Sequence, residues 1–238
     1  MPDKRRHRGP HPEDAVAFSP RNQPTLRTAV AELSWLLSRG YAEKSTIKLV
    51  GDHYSLTERQ RMAMMRCACS DVALARRTAH EMNAEAIRGR PLALDGYNVL
   101  TTIEASLAGG IILQGRDGCY RDLASMHGSF RKVEETGPAI ELVGMQIADL
   151  HVPSCVWYLD RPVSNSGRLK TLIAQTAEQH QWDWSVELVP SPDKVLIESP
   201  QVAATADSVI LDRCERWFNL SRVVVQSKLP RTHIVCLG

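Results

Sequence analysis

The sequence predicts an α/β fold with a largely parallel central sheet, preceded by a small all-α domain. Three short apolar runs that each end in an aspartate, 92–95, 156–160 and 202–207, have the composition of buried strands. After Pro91 such runs alternate with amphipathic stretches, whereas residues 25–90 show mainly helical spacing. The 238 residues, of which 43% are hydrophobic, suffice for two such units.

The first helical unit is predicted over residues 25–90. Leu26, Val30 and Leu33 repeat at three- and four-residue spacing, with Thr25 as a plausible N-cap and Gly40 as a stop. Further helices are predicted at 43–50, 56–69 and 71–87. Ahead of this unit, residues 1–24 contain five prolines among many charges and are expected to form a flexible basic arm.

Residues 91–238 are predicted to form the α/β domain. The apolar runs predict strands at 91–94, 111–113, 155–159, 185–189, 201–204, 222–225 and 233–237. The periodic stretches predict helices at 99–108, 139–152, 164–180 and 208–218, with 116–132 partly helical. This alternation is typical of an α/β sandwich.

Charge is unevenly distributed along the chain. Residues 1–90 carry 16 Lys and Arg against 10 Asp and Glu, a net +6, whereas residues 91–238 carry 13 against 17, a net −4. A basic surface favours a nucleic-acid partner, RNA more than DNA, although solvated helix faces explain the excess equally well. A homo-oligomer is compatible with the sequence, which does not specify the number of subunits.

Targeting signals and cysteine pairs are the next features that bear on location. The start is charged, no apolar run approaches the ~20 residues of a membrane helix, and the six cysteines show no Cys-x-x-Cys pair. These observations predict a cytoplasmic, reduced protein without a membrane partner, and they exclude a zinc ribbon or a disulfide framework.

Acidic residues end several of the predicted strands. A parallel sheet gathers the carboxyl ends of its strands at one edge, so Asp95, Asp160 and Asp207 are expected to meet in a cleft as metal-binding and catalytic groups. Oxygen-only ligands suit Mg²⁺ or Mn²⁺, which can activate water against a phosphodiester. The alternatives are an ordinary turn at Asp95-Gly96 and a helix N-cap at Asp207; the cap and the metal role are compatible.

A small polar loop follows Asp160 and is a candidate phosphate-binding segment. Free backbone N–H groups at the start of the next helix, together with Arg168 and Arg121, would steady and neutralise a phosphate. The alternatives are a well-capped helix and an Asp117–Arg121 ion pair at helical spacing. His127 is a further candidate proton donor. The loop consists of Ser164, Asn165, Ser166 and Gly167.

Two phrases resemble the PIN-like nucleases, specifically the NYN or YacP-like branch. The phrase from Asp95 to Leu100, Asp-Gly-Tyr-Asn-Val-Leu, resembles their first strand, and residues 203–210 resemble their late strand that ends in Thr-x-Asp. The resemblance implies that Asp95 is a metal ligand that Asn98 helps to position and that Asp207 is another acid of the metal site. It also implies a fourth acid from an early helix.

Glu104, on the helix after Asp95, is the predicted fourth acid. Asp117, Asp122 and Asp212 are its competitors. The long stretch between Glu104 and Asp160 departs from ordinary PIN chains and leaves the choice open.

Nearly the whole chain also resembles an uncharacterised prokaryotic family of domains of unknown function. This resemblance implies architecture and not activity. The phrases that carry it are Leu37-Ser38-Arg39-Gly40-Tyr41, Leu49-Val50-Gly51-Asp52, 56–61 and 160–167.

The predicted function is a divalent-metal-dependent nuclease that acts on structured RNA, with the basic helical domain helping to bind the substrate. The alternative is a non-catalytic RNA-binding or ribosome-associated module with a degenerate nuclease fold. A haloacid-type phosphatase is disfavoured because Tyr97 stands where a second aspartate is needed. An NTPase is disfavoured because the chain lacks a Gly-x-x-x-x-Gly-Lys-Ser/Thr loop.

Overall fold

A computed structural model describes residues 9–124 and 130–238. The helices in this part are α1 (Asp14–Ala17), α2 (Gln23–Ser38), α3 (Glu43–His53), α4 (Glu58–Cys67), α5 (Asp71–His80), α6 (Gly96–Leu107), α7 (Thr136–Asp149), α8 (Ser166–His180), α9 (Pro192–Glu198), α10 (Ser208–Leu211) and α11 (Leu220–Lys228). The strands are β1 (Leu92–Asp95), β2 (Ile112–Gln114), β3 (Tyr120–Asp122), β4 (Cys155–Asp160), β5 (Trp184–Val189), β6 (Val202–Ala204), β7 (Trp217–Phe218) and β8 (Ile234–Cys236).

The larger sheet has the strand order β5-β4-β1-β6-β7, and every neighbouring pair in it is parallel. Leu92 of β1 lies opposite Cys155 on one side and opposite Val202 on the other. The predicted α/β class with a parallel central sheet is therefore confirmed. Because both faces of a parallel sheet are covered by crossover helices, its strands are almost entirely apolar, as the sequence of β1 shows.

The two faces of this sheet have separate cores. Leu92, Leu94 and Trp157 point into the main core, which α6, α7, α8 and α11 cover. Ala93 and Ala203 point to the opposite face, where α9 and α10 pack over a smaller cluster. The alternation follows from the two-residue period of a strand.

The N-terminal helices share their core with a second, smaller sheet of order β3-β2-β8. Leu26, Val30 and Met64 from the helices form one cluster with Leu113 and Val235 from the strands. The cluster contains residues from both sides of Pro91, so the helical unit does not bury its apolar face alone.

Residues 9–24 differ from the expected flexible arm. Phe18 is 1% exposed and packs into the helical core, and the buried carboxylate of Asp14 pairs with Arg59 of α4. An apolar ring and an ion pair therefore hold the proline-rich segment on the surface of α4. The basic residues of the first eight positions lie outside the described residues.

Five local predictions were wrong. Thr25 is not an N-cap, because α2 begins at Gln23 with Asn22 at the N-cap position, and the helix predicted at 71–87 ends at His80. The β-branched run 222–225 belongs to α11, because Leu220, Ser221, Val224 and Val225 are buried along one helical face. The described part of 116–132 contains strand β3 after a turn at Gly118 (φ 74°), and not a helix. The helix predicted at 208–218 ends at Leu211, and the chain then adds the edge strand β7.

The structure also shows no helix, among its described residues, that is long and apolar enough to cross a membrane.

Substituting Phe18→Ala is expected to destabilise the protein by about 3–5 kcal/mol, because it leaves a cavity in the helical core. The matched control is Val16→Ala, two residues away, where the side chain is 73% exposed and little change is expected. Urea unfolding followed by circular dichroism measures both. Equal stability of the two variants would show that residues 9–24 do not pack as described.

Candidate active site

The strand order of the large sheet reverses between β1 and β6, and a crevice lies there at the carboxyl edge of the sheet. From β1 the chain proceeds to β4 and β5 on one side, then returns to β6 and β7 on the other. Ligands of open parallel sheets bind at such a switch point, outside the carboxyl ends of the two strands that flank it. Asp95 ends β1 and Asp207 follows β6, so both predicted acids lie at this point.

A chain of hydrogen bonds closes the crevice around Asp95. The Thr205 hydroxyl donates to Oδ2 of Asp95 at 2.8 Å and accepts the backbone N–H of Asp207 at 3.0 Å. Because the hydroxyl accepts from Asp207, its own proton is directed at Asp95. Asn98 Oδ1 accepts the N–H of Ala206 at 2.8 Å. The Thr-x-Asp segment is thus held between Asp95 and Asn98.

The carboxyl group of Asp95 is buried in an unfavourable electrostatic environment. Burial raises its pKa to about 7, the hydrogen bond from Thr205 opposes the rise, and the charges of Asp207 and Asp193 add to it. At neutral pH this carboxyl group is therefore only partly ionised. A cation bound beside it would favour the charged form.

Asp193 is an acid that the sequence reasoning missed. It lies in the first turn of α9, directly after β5, where Ser191 caps the helix. Partial burial, together with the charge of Asp207, raises the pKa of Asp193. The sequence contained a signal that could have identified Asp193: Ser191-Pro192-Asp193 is typical of a helix start, and it follows a predicted strand directly.

Asp160, the last residue of β4, belongs to the same acidic edge. Burial and the charge of Asp193 raise the pKa of its half-buried carboxyl group. The pKa values of Asp95, Asp160 and Asp193 are therefore each raised in part by the charge of another aspartate at this edge.

Asp207 is the N-cap of α10 and also lies at this acidic edge of the sheet. Its Oδ1 accepts the N–H groups of Val209 at 2.8 Å and Ile210 at 3.4 Å. The cap holds the half-buried carboxylate in a defined orientation next to the crevice. The N-cap interpretation of this residue is therefore confirmed, and the metal role stays a prediction.

Glu104 lies elsewhere. It is nine residues after Asp95 on α6, about 13 Å along the helix axis at 1.5 Å per residue. Its carboxylate is fully buried and accepts a hydrogen bond from Thr136 at 2.5 Å. The fold thus gives Glu104 a structural partner on α7 and supplies Asp193 as the nearer acid.

The competing acids for the fourth position also have structural partners. Asp117 is buried between Arg77 and Arg121, and Arg77 binds Asp212 as well, at 2.7 Å. Asp122 accepts the hydroxyls of two threonines on α6, at 3.1 and 3.2 Å. Arginines therefore offset the charges of Asp117 and Asp212, whereas Asp122 lines a cleft together with Asp207.

Arg121 lines a cleft together with Asp207, but its guanidinium is already paired with a carboxylate. The buried guanidinium makes two hydrogen bonds to Asp117, at 2.8 and 2.6 Å, and a third to the carbonyl of Ala206 at 2.8 Å. The pairing with Asp117 is the predicted ion pair, although it joins a turn to β3 and not two turns of a helix. Arg121 thus contacts the site through the backbone next to Asp207.

The loop after Asp160 is anchored on both sides. Asn165 adopts a left-handed conformation (φ 69°), and its side chain donates to the Phe130 carbonyl at 3.1 Å. The Phe130 N–H donates to the Ser164 carbonyl at the same distance. Ser166 is buried, whereas Gly167 and Arg168 are exposed at the start of α8. The loop therefore leaves Gly167 and Arg168 accessible.

A cleft of about 400 Å³ opens beside Asn98 and Asp207. Arg66 and Met65 of α4 line its other wall, so the helical unit and the large sheet both face it. His127 lies outside the described residues.

Tyr97 lines this cleft and ends in a buried polar group. Among the described residues, its buried hydroxyl has no hydrogen-bond partner. Burial and the charge of Asp160 raise its pKa to about 12, so it remains a donor at neutral pH. A buried donor without a partner is rare in folded proteins.

The fold and site define an α/β protein with an acidic crevice at the switch point of a parallel sheet. Residues 84–223 match the family model described as "Domain of unknown function (DUF5616)", and residues 25–80 match "Protein of unknown function (DUF434)". The chain belongs to the DUF5616 family. It is 30% identical, over 79% of its length and 89% of the other chain, to an uncharacterized protein of Methanocaldococcus jannaschii. No solved structure matches it.

The described residues do not form a closed site for a divalent cation. Within residues 9–124 and 130–238, no three His, Cys, Asp or Glu side chains lie close enough to hold one ion together. Mg²⁺ keeps several waters and binds proteins through one or two carboxylates together with substrate phosphates. Asp95 and Asp207, joined through Thr205, offer carboxylates of this kind.

Substituting Asp95→Asn is expected to stabilise the protein above pH 7. Between the ordinary pKa of 3.8 and a folded-state pKa of about 7, the folded protein holds a proton that the unfolded chain has lost, so stability falls as pH rises through this window. Asparagine does not ionise, so the variant does not lose stability for this reason as the pH rises. The gain should be near zero at pH 4 and reach at most about 4 kcal/mol above pH 7.

Unfolding midpoints of both proteins in urea, measured from pH 4 to pH 8 with a chelator present, test this expectation. Asp183→Asn, at an exposed aspartate, is the control. A pH-independent difference between Asp95→Asn and the parent would contradict the proposed ionisation of Asp95.

Proposed function

We propose that this protein is a divalent-metal-dependent nuclease with a PIN-like fold that hydrolyses phosphodiester bonds in RNA. The proposal depends mainly on the mutually repelling aspartates at the switch point of the parallel sheet. Repulsion of this kind is costly unless a cation or a proton offsets it, and perturbed carboxylates in a cleft are typical of catalytic sites.

The PIN-like assignment is supported by the way the two motifs come together. Asp95 and Asn98 come from the first motif, and Thr205 and Asp207 come from the second, more than 100 positions away, yet hydrogen bonds join the two pairs. The five parallel strands agree with the largely parallel sheet that the resemblance implies. The motifs therefore form one structural unit, as a shared active site requires.

The residues of the crevice have separable roles in this proposal. Asp95 and Asp207 would hold Mg²⁺ or Mn²⁺, which supplies an activated water and neutralises charge on the phosphate. Thr205 directs its proton at Asp95, and Asn98 fixes the backbone between Thr205 and Asp207, so the carboxylates are oriented before substrate arrives. Asp160 and Asp193 complete the negative field at the edge.

RNA binding by the helical unit is the second part of the proposal. The unit lies in the basic part of the chain, and its Arg66 shares the cleft with Asp207. A strand that reaches the aspartates through this cleft would contact α4 on one wall and Ser208 on the other. Arginine forks suit phosphate geometry. Arg66 already donates to the Asp122 carbonyl, so a phosphate in the cleft would share this guanidinium with Asp122.

The alternative is an RNA-binding module whose nuclease site is degenerate. One observation favours it: no three candidate ligands among the described residues lie within reach of a single ion. An active site completed by substrate phosphates would show the same arrangement, so catalysis has to be measured directly.

Substituting Asp207→Asn is expected to reduce Mn²⁺-dependent cleavage of a labelled structured RNA by at least about 100-fold, because one carboxylate ligand is lost. Asparagine can still cap α10 through its side-chain oxygen, so the fold should be preserved. Asp95→Asn should behave in the same way, whereas Asp183→Asn should cleave like the parent.

The assay compares product formation with Mn²⁺, with Mg²⁺ and with EDTA. Full activity of Asp207→Asn in the presence of Mn²⁺ would overturn the nuclease proposal. Absence of cleavage by the parent protein, with RNA binding retained in EDTA, would favour the non-catalytic alternative.

RNA binding itself is expected to depend strongly on salt. With three to five phosphate contacts, the affinity for a single-stranded RNA should fall roughly 20- to 100-fold between about 50 and 200 mM salt. Fluorescence anisotropy of a labelled oligonucleotide with Asp207→Asn, which avoids cleavage, measures the slope. A flat salt dependence would argue against a phosphate-binding cleft.

A further inference from the structure

We propose that a second pocket, beside the start of α8, binds one nucleotide unit of the substrate strand. The pocket has a volume of about 470 Å³, which suits a small ligand. It is distinct from the cleft beside Asp207. Its lining residues are cationic (Arg131, Lys132, Arg168), polar (Asn165, Thr171, Gln175) and apolar (Phe130, Leu169, Leu172).

The charge of this pocket differs from that of the surrounding part of the chain. Residues 91–238 carry a net charge of −4, yet the described residues that line the pocket include three cations and no carboxylate. Arg131, Lys132 and Arg168 are all exposed, so their charges are accessible to a ligand. Such a local excess of positive charge in an acidic region favours a phosphate group.

The floor of the pocket is apolar. Phe130 and Leu169 are buried, and Leu172 is half-buried, so they present carbon surface beneath the cationic rim. A free phosphate cannot bury apolar surface against these side chains, whereas a nucleotide can, because it carries a flat base and a sugar next to its phosphate. The amide of Gln175 and the hydroxyl of Thr171 can hydrogen-bond with base or sugar edges.

The cations come from two segments that hydrogen bonds hold together. The side chain of Asn165 donates to the Phe130 carbonyl, and the Phe130 N–H donates to the Ser164 carbonyl, each at 3.1 Å. These bonds fix Arg131 beside Arg168, although the two residues are distant in sequence. The pocket is therefore built by the fold and does not depend on one helix end.

The pocket and the cleft beside Asp207 are lined by two aromatic residues, Phe130 and Tyr97, that pack against each other. The ring of Phe130 lies 5.4 Å from the ring of Tyr97, measured between centroids, and Tyr97 follows Asp95 by two residues. The proposal assigns the nucleotide in this pocket to the same strand whose phosphodiester would lie at the aspartates. This inference rests on the proposed function for the identity of that strand, although nucleotide binding itself needs no hydrolysis.

Isothermal titration of the full-length protein with uridine or adenosine 5′-monophosphate, in EDTA, tests the proposal. Substituting Arg168→Ala or Arg131→Ala should weaken binding by about tenfold or more, since each removes a charged hydrogen-bond donor. The control is Lys170→Ala, on the same helix and exposed but outside the lining, which should bind like the parent. Circular dichroism checks that all variants are folded.

Inorganic phosphate is the second probe, and it should bind more weakly than either nucleotide because it leaves the apolar floor uncovered. Equal affinity for phosphate would overturn the nucleotide assignment. So would unchanged nucleotide binding in Arg168→Ala and Arg131→Ala, or the absence of nucleotide binding by the parent.

Asp207→Asn separates this proposal from the nuclease proposal. The variant should lose cleavage and keep nucleotide binding. If Asp207→Asn cleaves normally while Arg168→Ala loses nucleotide binding, the pocket stands and the nuclease proposal fails. If Asp207→Asn loses cleavage while Arg168→Ala binds nucleotide normally, the nuclease proposal stands and the pocket fails.

Discussion

The pairing of β1 with β4 on one side and with β6 on the other determines where the other elements can lie. Because β1 is central, the chain must cross from β5 back over the sheet to reach β6, and the crevice opens at that reversal. Asp95 ends the central strand and is therefore buried. Thr205 and Asp207 reach it because β6 pairs in parallel register with β1. The acidic site is thus a consequence of sheet topology.

A buried charge network extends this arrangement to the helical unit. Asp117 receives hydrogen bonds from Arg77 of α5 and from Arg121 of β3, and Arg121 also holds the Ala206 carbonyl. The two arginines lower the pKa of Asp117 well below its ordinary range despite its burial. Breaking a buried pair leaves an uncompensated charge, so this network ties the helical unit to the segment that carries Asp207.

Sequence patterns predicted the parts of the fold whose signal is local. The apolar runs that end in Asp95 and Asp160 are strands, and the amphipathic stretches around them are helices, because burial on a sheet imposes these patterns directly. The run 222–225 was wrongly predicted as a strand because its three consecutive valines are compatible with a buried strand and with the buried face of a helix. Packing of α11 on α6 and α7 decided between the two.

The candidate site shows the same division. Strand-end position singled out Asp95 and Asp207, and the PIN-like resemblance singled out Asn98. Hydrogen bonds join Asp95 and Asn98 to the segment 205–207. Asp193 went unnoticed because its relevance depends on which strand lies beside which. Arg121 and Glu104 were expected in the crevice, yet the first is buried against Asp117 and the second bonds to Thr136.

The sequence by itself therefore determined the α/β class, the main strands and the acids at the ends of β1, β4 and β6, because these follow from local periodicity and composition. Only the tertiary structure decided which acids share one electrostatic environment and which arginines are already paired. It alone also brings Arg131 and Arg168 to one pocket. Desolvation and charge pairing depend on distances between residues far apart in the chain, which no local pattern records.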